Sequence, residues 1–261
     1  MIIKEQYIST TDGDLFVKTW TPEIVRSKTS IVLLHDSLGS CIQWRDFPKK
    51  VANTLFMQVI AYDRAGFGNS YTRHTLPPIN FIEEEADVYF PQVKKALELE
   101  RFIILGHSVG GGMAVNIAAS EKDCLGAVII SAQAFIEERT LKGIQNAKQA
   151  FQRPEMLSKL AKWHGEKAQW VINAWTEVWL SDEFRNWKLC QIKNVFCPLL
   201  AIHGENDEYG STAFPNYIAQ NSSASAQVKI IENCGHMPHV THTEVVLKAI
   251  ASFIKSVIDL D

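Results

Sequence analysis

Residues Phe102-Ile-Ile-Leu-Gly-His-Ser-Val-Gly-Gly-Gly112 decide how this chain is read. Phe102 to Leu105 form a short apolar run with the composition of a buried strand, and a helical pattern begins directly after Ser108. Between them Gly106-His107-Ser108-Val109-Gly110 makes strand, sharp turn and helix in immediate succession. Such a turn lifts the serine hydroxyl above a sheet and aims it at a helix amino terminus, and glycine on both flanks relieves the crowding of a strained backbone. A glycine-rich turn that only redirects the chain or binds phosphate has the same letters, so residues elsewhere must decide.

Outward from this stretch, short Val- and Ile-rich runs alternate with helical patterns, as parallel βαβ units require. Strands are expected at 31–35, 58–62, 102–105, 127–131, 199–203 and 228–231, preceded by a hairpin or meander of 2–8 and 15–20 around Asp12-Gly13. Helices are expected at 81–99, 109–120, 212–220 and 243–257. The fold class is α/β, a doubly wound, mostly parallel sheet of about eight strands. Residues 135–188 break the rhythm: no strand pattern, several helical stretches, and five of the seven tryptophans (Trp163, Trp170, Trp175, Trp179, Trp187). A structureless loop of that length is improbable in a compact domain. The expected organisation is a core of 1–134 and 189–261 carrying an inserted helical cap, 135–188. One or two of its tryptophans are expected to line an apolar pocket, the rest to join helices.

Composition sets outer limits. The 261 residues are 46% hydrophobic and 21% charged, which fits one large globular α/β domain or a core with an insert. Lys and Arg number 26 against 29 Asp and Glu, so no polyanion-binding field is expected and nucleic acid is not an expected partner. Five cysteines, odd in number and without a CxxC pair, fit neither a disulfide framework nor a zinc site and read as reduced, mostly buried thiols. No stretch approaches the length of a membrane span, and Lys4 and Glu5 interrupt the first ten residues; the expected compartment is cytoplasmic.

A serine hydroxyl is a weak nucleophile until a base, itself oriented by a carboxylate, takes its proton. Leu199-Leu-Ala-Ile-His203 runs into Gly204-Glu-Asn-Asp207, which places Asp207 beyond the carboxyl end of a strand, where ligand sites of open sheets lie. The last strand is followed by Glu232-Asn-Cys-Gly-His236. Serine, aspartate and histidine thus occur in that order, with Glu205 and Glu208 as substitutes for Asp207 if the loop is shifted. His236, His239 and His242 form an HxxHxxH string, but His236 is needed as the base and neither an HExxH helix nor an acidic partner set accompanies it, so no metal is expected. His35 and His107 adjoin the site and are expected to hold loops by hydrogen bonds.

With these motifs in place the sequence resembles the serine hydrolases of the α/β-hydrolase superfamily over nearly its whole length. The likeness extends to Leu33-Leu-His-Asp-Ser-Leu-Gly39 and to Tyr62-Asp63-Arg-Ala-Gly66-Phe-Gly68-Asn-Ser70. It implies Ser108 as nucleophile, His236 as base, Asp207 as acid, and no cofactor. It also implies an oxyanion hole from the backbone N–H groups of Val109 and of Ser37, in the loop after His35. The family usually has His-Gly where this chain has His35-Asp36; aspartate tolerates unusual backbone geometry, but its charge is unfavourable beside an oxyanion unless it points away. Asp63, Gly66, Gly68 and Ser70 are assigned to a structural turn.

Within the superfamily, serine at 108 argues against dehalogenases and epoxide hydrolases, which resemble this chain but carry aspartate there, and Val109 departs from the Met of perhydrolases. Met237 after the histidine and His107 before the serine place carbon–carbon bond hydrolysis second to carboxylic ester hydrolysis. Non-catalytic ligand-binding members usually lack part of the triad, which this chain keeps. The expected partner is a small-molecule ester. From 136 to 167, seven basic residues (Arg139, Lys142, Lys148, Arg153, Lys159, Lys162, Lys167) face four acidic ones (Glu137, Glu138, Glu155, Glu166). That excess fits a solvated helix face. It also fits docking of an acyl carrier protein, as in similar small esterases that remove a methyl ester from a carrier-linked acyl chain.

Overall fold

A computed structural model describes residues 1–258. Strands β1 (Ile2–Ser9) and β2 (Asp14–Thr21) pair antiparallel, and β2 continues antiparallel onto β4 (Val59–Tyr62). Strands β3 (Ser30–Leu34), β5 (Phe102–His107), β6 (Cys124–Ile130), β7 (Leu199–Gly204) and β8 (Ala226–Ile231) complete one eight-stranded sheet in the order β1-β2-β4-β3-β5-β6-β7-β8. From β4 to β8 every pairing is parallel. The chain steps outward from β3 to β4 and then returns to β5 on the far side of β3, so the winding reverses between β3 and β5. Loops leaving their carboxyl ends diverge there and open a crevice. Ser37 follows β3 and Ser108 follows β5.

All six residues of β5 and of β7 are buried, the unbroken apolar reading expected of strands covered on both faces. One face packs on α3 (Phe90–Ala96) and α4 (Val109–Ser120) through Phe90, Phe102, Met113 and Ile117. The other packs on α1 (Phe47–Leu55) and α10 (Thr243–Val257) through Val51, Leu55, Val246 and Phe253. Helix α8 (Ala213–Asn221) flanks β7 and β8.

All eight expected strands are present, and α4 and α10 have the expected bounds. Two helical readings differ. The single helix expected at 81–99 is divided into α2 (Phe81–Glu84), a π-helical turn Glu85–Tyr89, and α3, which ends at Ala96. Pro91 has no N–H to donate, so the ladder shifts register just before it. Helix α1 was not anticipated, although Phe47, Val51 and Leu55 recur at four-residue spacing and Pro48 sits at its first turn, where a missing N–H costs nothing. All five cysteines are free; Cys41, Cys124 and Cys234 are buried, Cys197 is partly buried, and Cys190 is exposed.

Between β6 and β7 lie α5 (Glu138–Ala150), α6 (Pro154–His164) and α7 (Ala168–Trp179), with 3₁₀ turns at Gly165–Lys167 and Glu183–Asn186. An antiparallel bridge between Phe135 and Lys188 joins the segments leading into and out of this insert. The insert docks on the turn after β4. His164 accepts the Gly68 N–H at Nδ1 (2.9 Å) and donates from Nε2 to the Leu38 carbonyl (2.9 Å). Lys167 Nζ donates to the carbonyls of Phe67 and Ser70. Asp63 builds that turn by accepting the N–H groups of Cys41 (2.6 Å) and Asn69 (2.7 Å). Among the described residues no helix is long and apolar enough to cross a membrane.

Candidate active site

Ser108 occupies the turn between β5 and α4 with φ 55° and ψ −125°. A non-glycine residue there carries about 1–3 kcal/mol of backbone strain, sustained only because its surroundings over-determine it. Its N–H donates to the Ile130 carbonyl, and its own carbonyl accepts the Gly111 N–H, both at 2.8 Å. The flanking glycines are steric requirements: a Cβ at Gly106 would lie 2.0 Å from the Gly110 oxygen, and one at Gly110 would lie 2.3 Å from the Leu34 oxygen.

Beyond β7, buried Asp207 presents both carboxylate oxygens to Nδ1 of His236, at 2.9 and 2.8 Å. Asp207 Oδ1 also accepts the Tyr209 N–H at 2.8 Å. The neighbouring carboxylates do other work: Glu205 accepts the Asn233 N–H and Glu208 accepts the His236 N–H, each at 3.2 Å. Burial pushes the Asp207 carboxyl upward, yet the hydrogen bond and charge of His236 hold it below the ordinary carboxylate value. Burial likewise opposes the charged imidazole of His236, but the hydrogen bond and charge of Asp207 outweigh it and raise the histidine. With Nδ1–H committed to Asp207, Nε2 is the nitrogen left to take a proton. Ser108 and His236 line one cavity of ≈ 290 Å³. Among the described residues no hydrogen bond joins them, a looseness common in catalytic sites before substrate draws the groups together.

Ser37 lines the same cavity, and Val109 is the first residue of α4. The Val109 N–H has no acceptor within its own helix and lies at the positive end of the helix dipole. The Asp36 carboxylate is engaged. Oδ1 accepts the Leu38 N–H at 2.8 Å, and Oδ2 lies 3.3 Å from His107 Nδ1. His107 in turn donates from Nε2 to the backbone carbonyl of His236 at 2.9 Å. Burial would raise Asp36, but His107 and the Leu38 amide hold it well below the usual carboxylate range. Asp36, His107 and His236 therefore tie three loops together at the cavity floor. The sequence signalled this only as an irregularity at Asp36 and a histidine before the nucleophile.

The other two histidines of the HxxHxxH string diverge: His239 is buried against Trp44 and Phe47, and His242 pairs with the Thr241 hydroxyl. Among the described residues no group of three or more His, Cys, Asp or Glu side chains is arranged to hold a metal. Across the cavity, α5 contributes Thr140 and Ile144, and α7 contributes Trp175 and Trp179. Trp170 instead donates to the Thr75 carbonyl, and Trp187 stacks on Phe184. Gln133, not singled out in the sequence, also lines the cavity, and its Oε1 is buried with no hydrogen-bond partner among the described residues.

Residues 31–249 match the model of the alpha/beta hydrolase family. The chain belongs to that family. It is similar to a proline iminopeptidase of Heyndrickxia coagulans, 26% identical over 274 aligned positions that take in 88% of this chain and 91% of that protein. It is also similar to a probable lysophospholipase, BODYGUARD 3, of Arabidopsis thaliana, 28% identical over 117 residues. That alignment takes in 43% of this chain and only 23% of the plant protein's length. A similarity to a probable alcohol acetyltransferase of Cyberlindnera jadinii takes in 34% of that protein. Carboxylesterase CesB of Bacillus subtilis superimposes with a TM-score of 0.71 at 22% identity, over 99% of this chain and 93% of the other, a likeness of fold. The family model and the sheet topology agree on the fold.

Proposed function

We propose that this hydrolase cleaves carboxylic esters through an acyl-enzyme on Ser108. The observation that carries the reading is the two-oxygen grip of buried Asp207 on His236, beside a cavity that Ser108 also lines. His236 Nε2 takes the Ser108 proton as Oγ attacks the ester carbonyl, and the N–H groups of Val109 and Ser37 receive the oxyanion. His236 then gives its proton to the leaving alcohol. Water, deprotonated by the same nitrogen, attacks the acyl-enzyme, and collapse of the second tetrahedral intermediate releases the acid and returns the proton to Ser108. Residues 135–188 act as a cap whose Trp175, Trp179 and Ile144 shape the apolar side of the substrate pocket.

The test is hydrolysis of p-nitrophenyl esters from acetate to octanoate by the wild type and by Ser108→Ala. Turnover by the wild type with a loss on the order of 10⁴ in kcat in the variant is the expected result. Absence of turnover on every ester would bring carbon–carbon bond hydrolysis or ligand binding forward instead. A carrier-linked acyl methyl ester is a narrower reading, favoured by the exposure of Lys142, Arg153, Lys159 and Lys162 on the outer surface of the insert. None of these lines the cavity, so a carrier would dock outside it.

A further inference from the structure

The charge of the cavity wall is one-sided. Asp36 and Glu208 both line it, and among the described residues its lining contains no lysine or arginine. The nearest cations are engaged elsewhere. Arg64 donates from behind the wall to the Asp36 backbone carbonyl (2.9 Å), and Arg139 donates to the Asp207 carbonyl (3.2 Å). On the insert, Lys148 pairs with Glu177 at 2.7 Å, and Lys167 is taken up by backbone carbonyls. Asp36 is largely satisfied by Leu38 and His107. Glu208 is exposed and spends one oxygen on the His236 amide; its other oxygen makes no hydrogen bond among the described residues. Around these acceptors stand aromatic rings: Trp175 and Tyr209 meet edge to face at 5.8 Å, and Tyr209 stands 4.8 Å from His236.

A substrate carboxylate entering this space meets two like charges and, among the described residues, no lysine or arginine, and it sheds water with little compensation. An ammonium meets a carboxylate oxygen free of other bonds in a cavity lined by aromatic rings, both of which favour a cation. We infer that the pocket selects esters whose acyl tail carries an ammonium or similar cationic group and rejects those whose tail carries a carboxylate. The inference rests on the ester-hydrolase reading and narrows its substrate class.

The test compares kcat/KM for p-nitrophenyl esters of three acids of matched length: trimethylammonio-butyric acid, its uncharged tert-butyl isostere, and glutaric acid as its half-ester. The cationic ester is expected to exceed the isostere by about tenfold, and the anionic one to fall about tenfold or more below it. In Glu208→Gln the ratio of cationic to anionic ester is expected to shrink several-fold. Equal values for the three esters, or a preference for the half-ester, would overturn the inference while leaving the ester reading intact. A wild type that hydrolyses none of the three, nor short p-nitrophenyl esters, would overturn both. If Glu208→Gln does not fold, the wild-type ratio alone decides.

Discussion

Along the carboxyl edge of the sheet, Ser108, Asp207 and His236 are placed by backbone with few alternatives. Across the cavity, Thr140, Ile144, Trp175 and Trp179 come from helices that reach the core through a small set of side-chain bonds. The first region is specified by strained turns, obligatory glycines and short ladders, the second by diffuse apolar packing. A family can therefore hold its chemistry fixed and vary what it accepts, because the two are encoded by different kinds of residue.

The largest effect that separates the regions is expected at Asp207. In Asp207→Asn the carboxamide presents a donor where Nδ1–H needs an acceptor and favours the wrong tautomer, so kcat is expected to fall by about 10³–10⁴ with the fold retained. The pH profile gives a second readout. In the proposed mechanism His236 acts as a base only when neutral, and Asp207 raises it above the ordinary imidazole value of about 6.5. Wild-type kcat/KM is thus expected to rise through a limb above that value, and residual activity in the variant to rise at lower pH. A limb that stays in place would detach Asp207 from His236.

A smaller effect, on the same edge of the sheet, is expected at Asp36. Glycine there restores the commoner pattern but removes the partner of His107 and the acceptor for the Leu38 N–H. A fall in kcat/KM of about 10- to 100-fold is expected in Asp36→Gly, with partial recovery in Asp36→Asn, which keeps an acceptor for Leu38. Asp36 also contributes to holding His236 protonated, so both variants should move the acid limb downward. Unchanged kinetics in Asp36→Gly would reduce the bridge to local packing.

The same contrast explains what was legible in the sequence. The turn at Ser108 was readable because a strained strand-to-helix turn needs small residues at 106 and 110, and the strand order followed from apolar runs buried on both faces. Asp207 could be separated from Glu205 and Glu208 only in three dimensions, since all three occupy one loop and differ in which way they face. The break at Pro91 was written in a single residue, but the π turn it produces, whose Glu85 accepts the Tyr62 hydroxyl at 2.6 Å, was not. Helices α5 to α7 were signalled by the loss of strand pattern between β6 and β7. Nothing local distinguished Trp175 and Trp179, which face the cavity, from Trp170, which bonds to Thr75, because that depends on how α6 and α7 settle on the core.

That settling is testable at His164, where the expected effect is on stability and KM more than on kcat. His164→Leu leaves the Gly68 N–H and the Leu38 carbonyl without partners, at a cost of about 1–3 kcal/mol in urea unfolding. Burial holds the His164 imidazole below its ordinary value. A histidine neutral in the folded state is protonated first in the unfolded one, so its contribution is complete above about pH 6.5 and is lost as pH falls below it. The stability difference between wild type and variant should therefore narrow in mild acid. A constant difference from neutral pH to pH 5 would mean that the His164 bonds do not hold the insert.

The smallest effect on chemistry is expected on the outer surface of the insert. Lys142 and Arg153 are exposed and make no contact with the cavity. Reversal of both to glutamate is expected to change stability by less than about 0.5 kcal/mol and leave kcat/KM on short p-nitrophenyl esters within about twofold. The same double variant, assayed on a methyl ester linked to an acyl carrier protein, separates the two meanings of the basic surface. If the insert docks an acidic carrier, each cation contributes to encounter, and the loss should be larger at low salt and fade as ionic strength rises. If the surface is only a solvated helix face, carrier-linked and free esters will respond alike, and the insert will act on specificity solely through the side chains that face inward.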